Sequence, residues 1–300
     1  MSEPDRARSD DETRTRAATI PARLLPWFET HGRHDLPWQH PRDAYRVWVS
    51  EIMLQQTQGA TVVPYFRRFM STFPDLPTLA EAPEDAVLAA WAGLGYYSRA
   101  RHLHRAAKEV AHRHAGVLPN DFEALLALPG IGRSTAGAIL ALAYDRRFPI
   151  LDGNVKRVLT RYFGIDAWPG AGPVEKALWT LADAATPAAR VADYTQAVMD
   201  LGATVCVRSR PLCAACPLGT DCRARIEGRT AEIPARRPRR AKTERETTML
   251  AIVDAADRIL LERRPPSGIW GGLWSLPEVT DAVAASKFIE DLALKAAVPV

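Results

Sequence analysis

Apolar residues recur at every third or fourth position through most of the first 245 residues, which is the spacing of one face of an α-helix. Glycine and proline punctuate this pattern and divide it into separate helices. The clearest helical segments are Pro83 to Ala92, Arg99 to His114, Asp152 to Tyr162, Pro173 to Ala185 and Asp193 to Leu201. No convincing strand pattern precedes residue 245, so the sequence predicts a mainly α fold.

The two ends of the chain differ from this helical body. Residues 1–18 are polar and charged without a hydrophobic period, so we expect a disordered tail. Residues 229–245 are rich in proline and arginine and predict a basic linker. Beyond them, Thr248 to Val253 and Arg258 to Leu261 are short β-branched runs typical of a hairpin. We therefore expect residues 246–300 to form a separate, small α+β domain.

The charge of the chain is nearly balanced but unevenly distributed. The sequence has 39 Lys and Arg against 35 Asp and Glu, and basic residues dominate from Arg99 to Arg113 and from Arg208 to Arg245. This asymmetry suits a polyanion, although a solvated basic face explains it equally well.

Apolar runs fall short of the roughly 20 residues that a membrane span needs, and the first residues lack an apolar signal segment. We expect a cytoplasmic protein.

All four cysteines lie in one short segment, at Cys206, Cys213, Cys216 and Cys222. In a reducing compartment such a group indicates metal ligation rather than disulfides. Zinc sites usually use two Cys-x2-Cys pairs, whereas the single pair here, with longer arms, suits an iron–sulfur cluster. The spacing alone leaves both centres open. Arg208 and Arg210 lie inside the first cysteine loop and suit phosphate binding.

The segment Leu128 to Thr135 joins two apolar helical segments and has the sequence Leu-Pro-Gly-Ile-Gly-Arg-Ser-Thr. Gly130 and Gly132 let backbone N–H groups point outward at the start of the second helix, where the helix dipole favours an anion. This is the outline of a helix-hairpin-helix phosphate clamp. An ordinary tight turn between two helices explains the same residues.

Two carboxylates are candidates for catalysis. Asp152 precedes a predicted helix, where an aspartate is most often a simple N-cap, but a capping carboxylate is also held rigidly. Glu51 lies among Trp48, Ile52 and Met53, so it is either a surface residue or a desolvated acid with the proton that a general acid needs. The residues alone leave the two interpretations balanced.

Five segments occur together with the cysteine array in a specific order. They are Leu36 to Gln39, Ser50 to Gln58, Gly93 to Arg101, Pro129 to Gly132 and Leu151 to Arg157. In this combination the chain resembles the adenine DNA glycosylases of the endonuclease-III-like superfamily. The resemblance implies a two-lobed helix-hairpin-helix glycosylase fold. Residues 43–146 would form a six-helix barrel lobe, and residues 19–42 and 147–228 a lobe carrying a [4Fe-4S] cluster on the four cysteines.

The resemblance also implies the reaction and its residues. Adenine opposite 8-oxoguanine or guanine would be flipped out of duplex DNA into the space between the lobes by a monomeric enzyme. Glu51 would protonate adenine N7, Asp152 would stabilise the oxocarbenium-like sugar, and Asn154 would support this site. Tyr96 would enter the base stack, beside Gln55 and Gln56. The full set of DNA contacts would be Gln55, Gln56, Tyr96, Gly130, Gly132, Ser134, Arg208 and Arg210.

Ser134 separates two reaction types within this superfamily. Members that also cleave the backbone carry a lysine near this position, because a Schiff base needs an amine. The serine therefore predicts a monofunctional glycosylase that leaves an abasic site, although Lys156 is near enough in sequence for accidental trapping.

The segment Thr248 to Glu278 resembles the start of the Nudix-like domain with which the family recognises 8-oxoguanine. Residues 246–300 would be an incomplete copy of it, and Ala282 to Ala297 lacks the glutamates that a pyrophosphatase needs for Mg²⁺. The alternative to an enzyme is a non-catalytic, cluster-dependent DNA-binding protein, which would tolerate neutral residues at positions 51 and 152.

Overall fold

The computed structural model describes residues 12–238, 244, 246–265 and 268–296. The chain divides into two compact units, Met1–Pro238 and Arg239–Val300, and each is described by itself. The first unit is helical throughout its described part, which confirms the predicted mainly α class.

The helices of the first unit follow one another with short connections. After a helical segment at residues 12–18 come α1 (Ile20–His31), α2 (Ala44–Leu54), α3 (Gly59–Thr72), α4 (Leu76–Glu81), α5 (Glu84–Trp91) and α6 (Ser98–Arg113). The next six are α7 (Phe122–Leu126), α8 (Arg133–Tyr144), α9 (Gly153–Phe163), α10 (Gly172–Ala185), α11 (Val191–Asp200) and α12 (Arg223–Ile226). A π-helical turn, Leu201–Val205, continues α11 toward the cysteines.

Aspartates begin several of these helices. The side chains of Asp43, Asp75, Asp121 and Asp152 each accept a hydrogen bond from the backbone N–H three residues later, at the starts of α2, α4, α7 and α9. Such a cap satisfies one of the unpaired donors of the first turn and stabilises a helix by about 1 kcal/mol.

Small residues in α8 let the chain that leads to Asp152 pass close to this helix. A Cβ atom on Gly137 would lie 2.5 Å from the carbonyl oxygen of Pro149, and the neighbouring Ala136 and Ala138 are buried. This alanine-rich helix therefore packs closely against the preceding chain, which fixes the path of residues 149–152.

Two predictions for the ends of the first unit are wrong in part. Residues 12–18, which we expected in a disordered tail, are helical, and Ala17 is buried. The Arg16 guanidinium donates to the carbonyl oxygens of Tyr162 and Asp221 and lies 4.4 Å from the centre of the Tyr162 ring. Because these partners are distant in sequence, local polarity did not reveal them. Residues 1–11 lie outside the described residues.

Residues 229–238, which we expected in the basic linker, pack on the first unit. Ile233 is buried, and its carbonyl oxygen accepts a hydrogen bond of 2.8 Å from Arg161 Nε. The Arg229 guanidinium forms a 2.6 Å ion pair with Asp166. These arginine contacts stabilise a segment whose own composition is too polar to form a core. Positions 239–243 and 245 are outside the described residues.

The second unit contains short strands and one helix. These elements are β1 (Thr248–Met249), β2 (Glu262–Arg263), β3 (Trp274–Ser275), β4 (Glu278–Val279) and α13 (Ala282–Ala296). Strand β1 pairs antiparallel with β4, and β2 pairs antiparallel with β3. The predicted hairpin is present as an antiparallel bridge between Val253 and Ile259. The α+β character expected of this unit is confirmed.

None of the helices in the described part of the chain is long and apolar enough to cross a membrane.

The close approach at Gly137 predicts a specific sensitivity. Gly137→Ala should lower stability by about 1–3 kcal/mol, the usual cost of overpacking a core, because the added methyl group meets a backbone oxygen. Gly172→Ala, at the start of α10, is the matched control, since a Cβ there has no neighbour within 4 Å. Urea denaturation of the whole chain measures both. Equal midpoints for the two variants would contradict this account of α8.

Candidate active site

Asp152 is the N-cap of α9, and its two carboxylate oxygens have different partners. Oδ1 accepts a hydrogen bond of 2.8 Å from the backbone N–H of Val155, and Oδ2 accepts one of 3.3 Å from Asn154 Nδ2. Burial raises the pKa of Asp152, while the Val155 N–H, the Arg157 charge and Asn154 oppose the rise. The expected capping role and a rigid orientation of the carboxylate therefore coexist.

Ser134 holds the chain immediately before Asp152. Its Oγ accepts a hydrogen bond of 3.0 Å from the backbone N–H of Leu151. The sequence had suggested Ser134 as a DNA contact and as a sign of monofunctional chemistry, but not this hydrogen bond, because the partner of the hydroxyl lies in another segment. In this structure the side chain anchors the backbone immediately before Asp152.

Glu51 lies on α2, between the buried residues Ser50 and Ile52, and one turn after the fully buried Trp48. Its pKa is raised to about 8, first by burial, which penalises the charged form, and second by the nearby charge of Asp152. Two carboxyl groups from distant parts of the sequence thus meet in one site. Of the two interpretations left open for Glu51, the structure supports the desolvated acid.

Arg157 connects this site to the cysteine segment. Its Nη2 donates to Asn154 Oδ1 at 2.8 Å and to the carbonyl oxygen of Gly202 at 2.6 Å, while Nε donates to the carbonyl oxygen of Cys206 at 2.7 Å. Sequence reasoning missed this role. The one signal available was the position of Arg157 on α9, one turn after Asn154.

The four cysteines line one cavity, together with Arg161 and Arg225. Arg161 Nη1 lies 3.4 Å from Cys206 Sγ and donates to the carbonyl oxygen of Val207 at 2.7 Å. Among the described residues, no three His, Cys, Asp or Glu side chains converge closely enough to hold a single metal ion. A donor set of four thiols spread around a cavity fits a polynuclear iron–sulfur centre better than one zinc ion.

The thiols influence one another electrostatically. Burial raises the pKa of Cys216 to about 11, and the charges of the other three cysteines act in the same direction. Burial also raises the pKa of Cys222. Iron ions bound here would supply the positive charge that four clustered thiolates require.

Helices α7 and α8 and the turn between them form the predicted helix-hairpin-helix. Gly130 has a positive φ of 81°, and a Cβ there would lie 2.8 Å from Cβ of His102 on α6. Gly132 is the N-cap of α8, and a Cβ on it has no neighbour within 4 Å. The turn is therefore packed against α6 at Gly130 and open at Gly132. There α8 begins, and its first backbone N–H groups have no intrahelical acceptors.

The remaining predicted DNA contacts lie on loops. Gln55 follows α2, and its Nε2 lies 3.5 Å from Thr135 Oγ1. Gln56 and Tyr96 both have left-handed backbones, with φ of 60° and 50°, and 59% of Tyr96 is exposed.

Arg208 and Arg210 are both exposed in the first cysteine loop. The side chain of Lys156, by contrast, forms an ion pair with Glu175, in which Nζ lies 2.6 Å from Oε1.

Two family models match the chain. The model of HhH-GPD superfamily base excision DNA repair proteins matches residues 49–184. A NUDIX domain model matches residues 248–299. The first match contains both carboxylates and the hairpin, and the second covers most of the second structural unit.

Curated relatives share more than a third of the residues. The adenine DNA glycosylase of Buchnera aphidicola subsp. Acyrthosiphon pisum is 38% identical over 255 residues, covering 85% of this chain and 73% of that protein. The mouse adenine DNA glycosylase is 39% identical over 308 residues, covering 86% of this chain and 60% of that protein. The human one is 37% identical, with 86% and 57% covered.

Two solved structures of DNA glycosylase and endonuclease III proteins have a similar fold. A thermostable thymine-DNA glycosylase has a TM-score of 0.63 at 28% identity and covers 72% of this chain and 98% of its own. A non-covalent endonuclease III–DNA complex has a TM-score of 0.57 at 20% identity, covers 76% and 98%, and shows the fold alone. Together with the curated relatives, these similarities show that the chain belongs to the adenine DNA glycosylase family of base-excision repair enzymes.

Proposed function

We propose that the protein hydrolyses the N-glycosidic bond of adenine mispaired with 8-oxoguanine or guanine in duplex DNA, acting as a monomer. The observation that carries the proposal is the meeting of Glu51, whose pKa is about 8, with the capping carboxylate of Asp152. The glycosidic bond is inaccessible within the base stack, so adenine must first be flipped into the site. Tyr96 enters the stack as adenine leaves, and Gln55 and Gln56 line the vacated space.

Glu51 supplies the proton for the leaving base. A carboxyl group with a pKa of about 8 is mostly protonated at neutral pH. It donates its proton to N7 of adenine, and the bond between C1′ and N9 then breaks with its electron pair going to the base. Adenine therefore departs as a neutral molecule rather than an anion.

Asp152 stabilises the positive charge that develops on the sugar. Its two hydrogen bonds fix the carboxylate, so little reorganisation is needed as the oxocarbenium-like sugar forms. A water molecule gives its hydroxyl group to C1′, and the proton it releases restores the acid form of Glu51. The products are free adenine and an abasic site.

The enzyme is proposed to be monofunctional. A Schiff base needs a free amine next to C1′, but the Ser134 side chain carries a hydroxyl group instead of an amine, and the Lys156 ammonium is paired with Glu175. Strand breaks should therefore appear only after alkaline treatment of the abasic product.

A [4Fe-4S] cluster is proposed as the resident cofactor, held by the four cysteines. When bound, it would cross-link the loop that presents Arg208 and Arg210 to DNA phosphates. Iron analysis distinguishes it from zinc, since a cubane cluster carries four iron atoms.

For the second unit, the NUDIX match supports a role in recognising 8-oxoguanine opposite the adenine.

Neutral variants of the two carboxylates test the mechanism. Glu51→Gln and Asp152→Asn should each slow single-turnover adenine release by roughly 10²- to 10⁴-fold, the usual contribution of such groups, while DNA binding is retained. Glu81→Gln, at an exposed position at the end of α4, is the control and should leave the rate unchanged. Unaltered release rates in both variants would refute these roles of Glu51 and Asp152. The non-catalytic alternative instead predicts no release by the unaltered chain and DNA binding that neither substitution changes.

The raised pKa of Glu51 predicts the pH dependence of the chemical step. The acid form is the active one, so single-turnover release should be fast below pH 8 and fall as the pH rises through about 8. The residual rate of Glu51→Gln should show no decline in that range, because glutamine does not ionise there. A decline of the same size in this variant would assign the ionisation to another group.

A further inference from the structure

Two loops with strained backbones both contact the side chain of Arg99. The first contains Gln56, which follows α2, and the second contains Tyr96, which precedes α6. Both residues have positive φ angles, which cost a residue other than glycine about 1–2 kcal/mol. Surrounding contacts must therefore hold each loop in place.

The guanidinium of Arg99 supplies these contacts to both loops at once. Arg99 is only 7% exposed. On the first loop, Nη1 donates to the carbonyl oxygens of Ile52 at 3.0 Å and Met53 at 2.9 Å. The same nitrogen donates to the carbonyl oxygen of Gln55, and Nη2 donates to Thr57 Oγ1 at 3.2 Å. These bonds occupy the carbonyl groups that the end of α2 leaves without intrahelical partners.

On the second loop, Nη2 of Arg99 donates to the carbonyl oxygen of Gly95 at 3.2 Å. The guanidinium carbon lies 5.4 Å from the ring centre of Tyr96 and 5.5 Å from that of Trp91. Trp91 Nε1 also donates to the Gly95 carbonyl oxygen, at 3.1 Å. One buried cation therefore contacts the main chain of both loops and the exposed ring of Tyr96.

We propose that Arg99 is a positioning residue that couples the Gln55–Thr57 loop to the Tyr96 turn, so that both move as one unit when adenine leaves the duplex. This inference rests on the proposed function. Arg99 binds main-chain and hydroxyl oxygens and acts through Tyr96 and the glutamine loop. Its effect should therefore appear in base extrusion and not in the bond-breaking step.

The variant Arg99→Lys tests whether a positive charge at position 99 is sufficient or whether contacts with both loops are needed. Arginine has five N–H donors in a planar fork, whereas a lysine ammonium is one compact charge on a flexible stem. Arg99→Lys keeps a cation near the end of α2 but cannot reach Gly95 and Thr57 together. Arg105→Lys, an exposed residue on the same helix, is the matched control.

The test compares Arg99→Lys, Tyr96→Ala, the double variant and Arg105→Lys on two duplexes, with adenine opposite 8-oxoguanine or opposite an abasic position. Extrusion is followed by the fluorescence of 2-aminopurine placed at the adenine site, and release by single-turnover kinetics. Arg99→Lys should reduce extrusion and release roughly 10- to 100-fold on the first duplex, as expected for a misplaced positioning group, and much less on the second. The pH profile of release should not change.

Non-additivity is the decisive readout for the coupling. The double variant should lose clearly less than the product of the two single losses, because Arg99 acts in part through Tyr96. Multiplied losses in the double variant, or equal losses on both duplexes with a lowered Tm, would overturn the proposal. The fluorescence measurement needs no bond cleavage. Absence of release by the unaltered chain would refute the proposed function, and the fluorescence difference would still decide the role of Arg99.

Discussion

Asp152 caps helix α9, and this local hydrogen bond fixes its carboxylate beside Glu51 although burial disfavours both charges. The Val155 N–H, Asn154 and the Arg157 charge all favour the ionised form of Asp152. For Glu51, burial dominates and the Asp152 charge acts in the same direction, so the proton stays on this group to higher pH. Burial thus raises the pKa of both side chains, but only for Asp152 do hydrogen bonds and a nearby positive charge oppose the rise.

Three buried or half-buried arginines bind the irregular segments of the first unit. Arg99 binds carbonyl oxygens at the end of α2, Arg157 binds those of Gly202 and Cys206, and Arg161 binds those of Val207 and Ile233. A guanidinium can satisfy several acceptors in a fixed geometry, which suits irregular segments that lack their own ladder of hydrogen bonds. The start of α9 and the cysteine segment are therefore linked by hydrogen bonds through Arg157.

The sequence predicted the helices well because their hydrophobic period is strong. Arg99 to His114 was expected, and α6 is Ser98–Arg113. Asp152 was expected as a helix cap, because capping depends on residues three positions apart. The predictions of a disordered tail at residues 12–18 and of a linker at residues 229–238 were wrong, because the structure of these segments depends on contacts that are distant in sequence. Both segments are polar and fold through arginine contacts with distant carbonyl groups, which no local pattern encodes.

The same limit applies to the site. Sequence patterns identified both carboxylates and the four cysteines, but not their relative positions. The roles of Arg157 and Arg99 depend largely on main-chain carbonyl groups, which every residue has, so the residue types of their partners do not reveal them. The Ser134 hydroxyl likewise finds its partner in the backbone of another segment.

Adenine release from three duplexes tests the central claim most directly. The whole chain, loaded with iron and sulfide, is mixed in excess with duplexes carrying adenine opposite 8-oxoguanine, guanine or thymine, and strand breaks are read before and after alkali. The account predicts release from the first two duplexes only, with breaks that appear only after alkali. Tight binding without release, equal release opposite thymine, or breaks before alkali would contradict it.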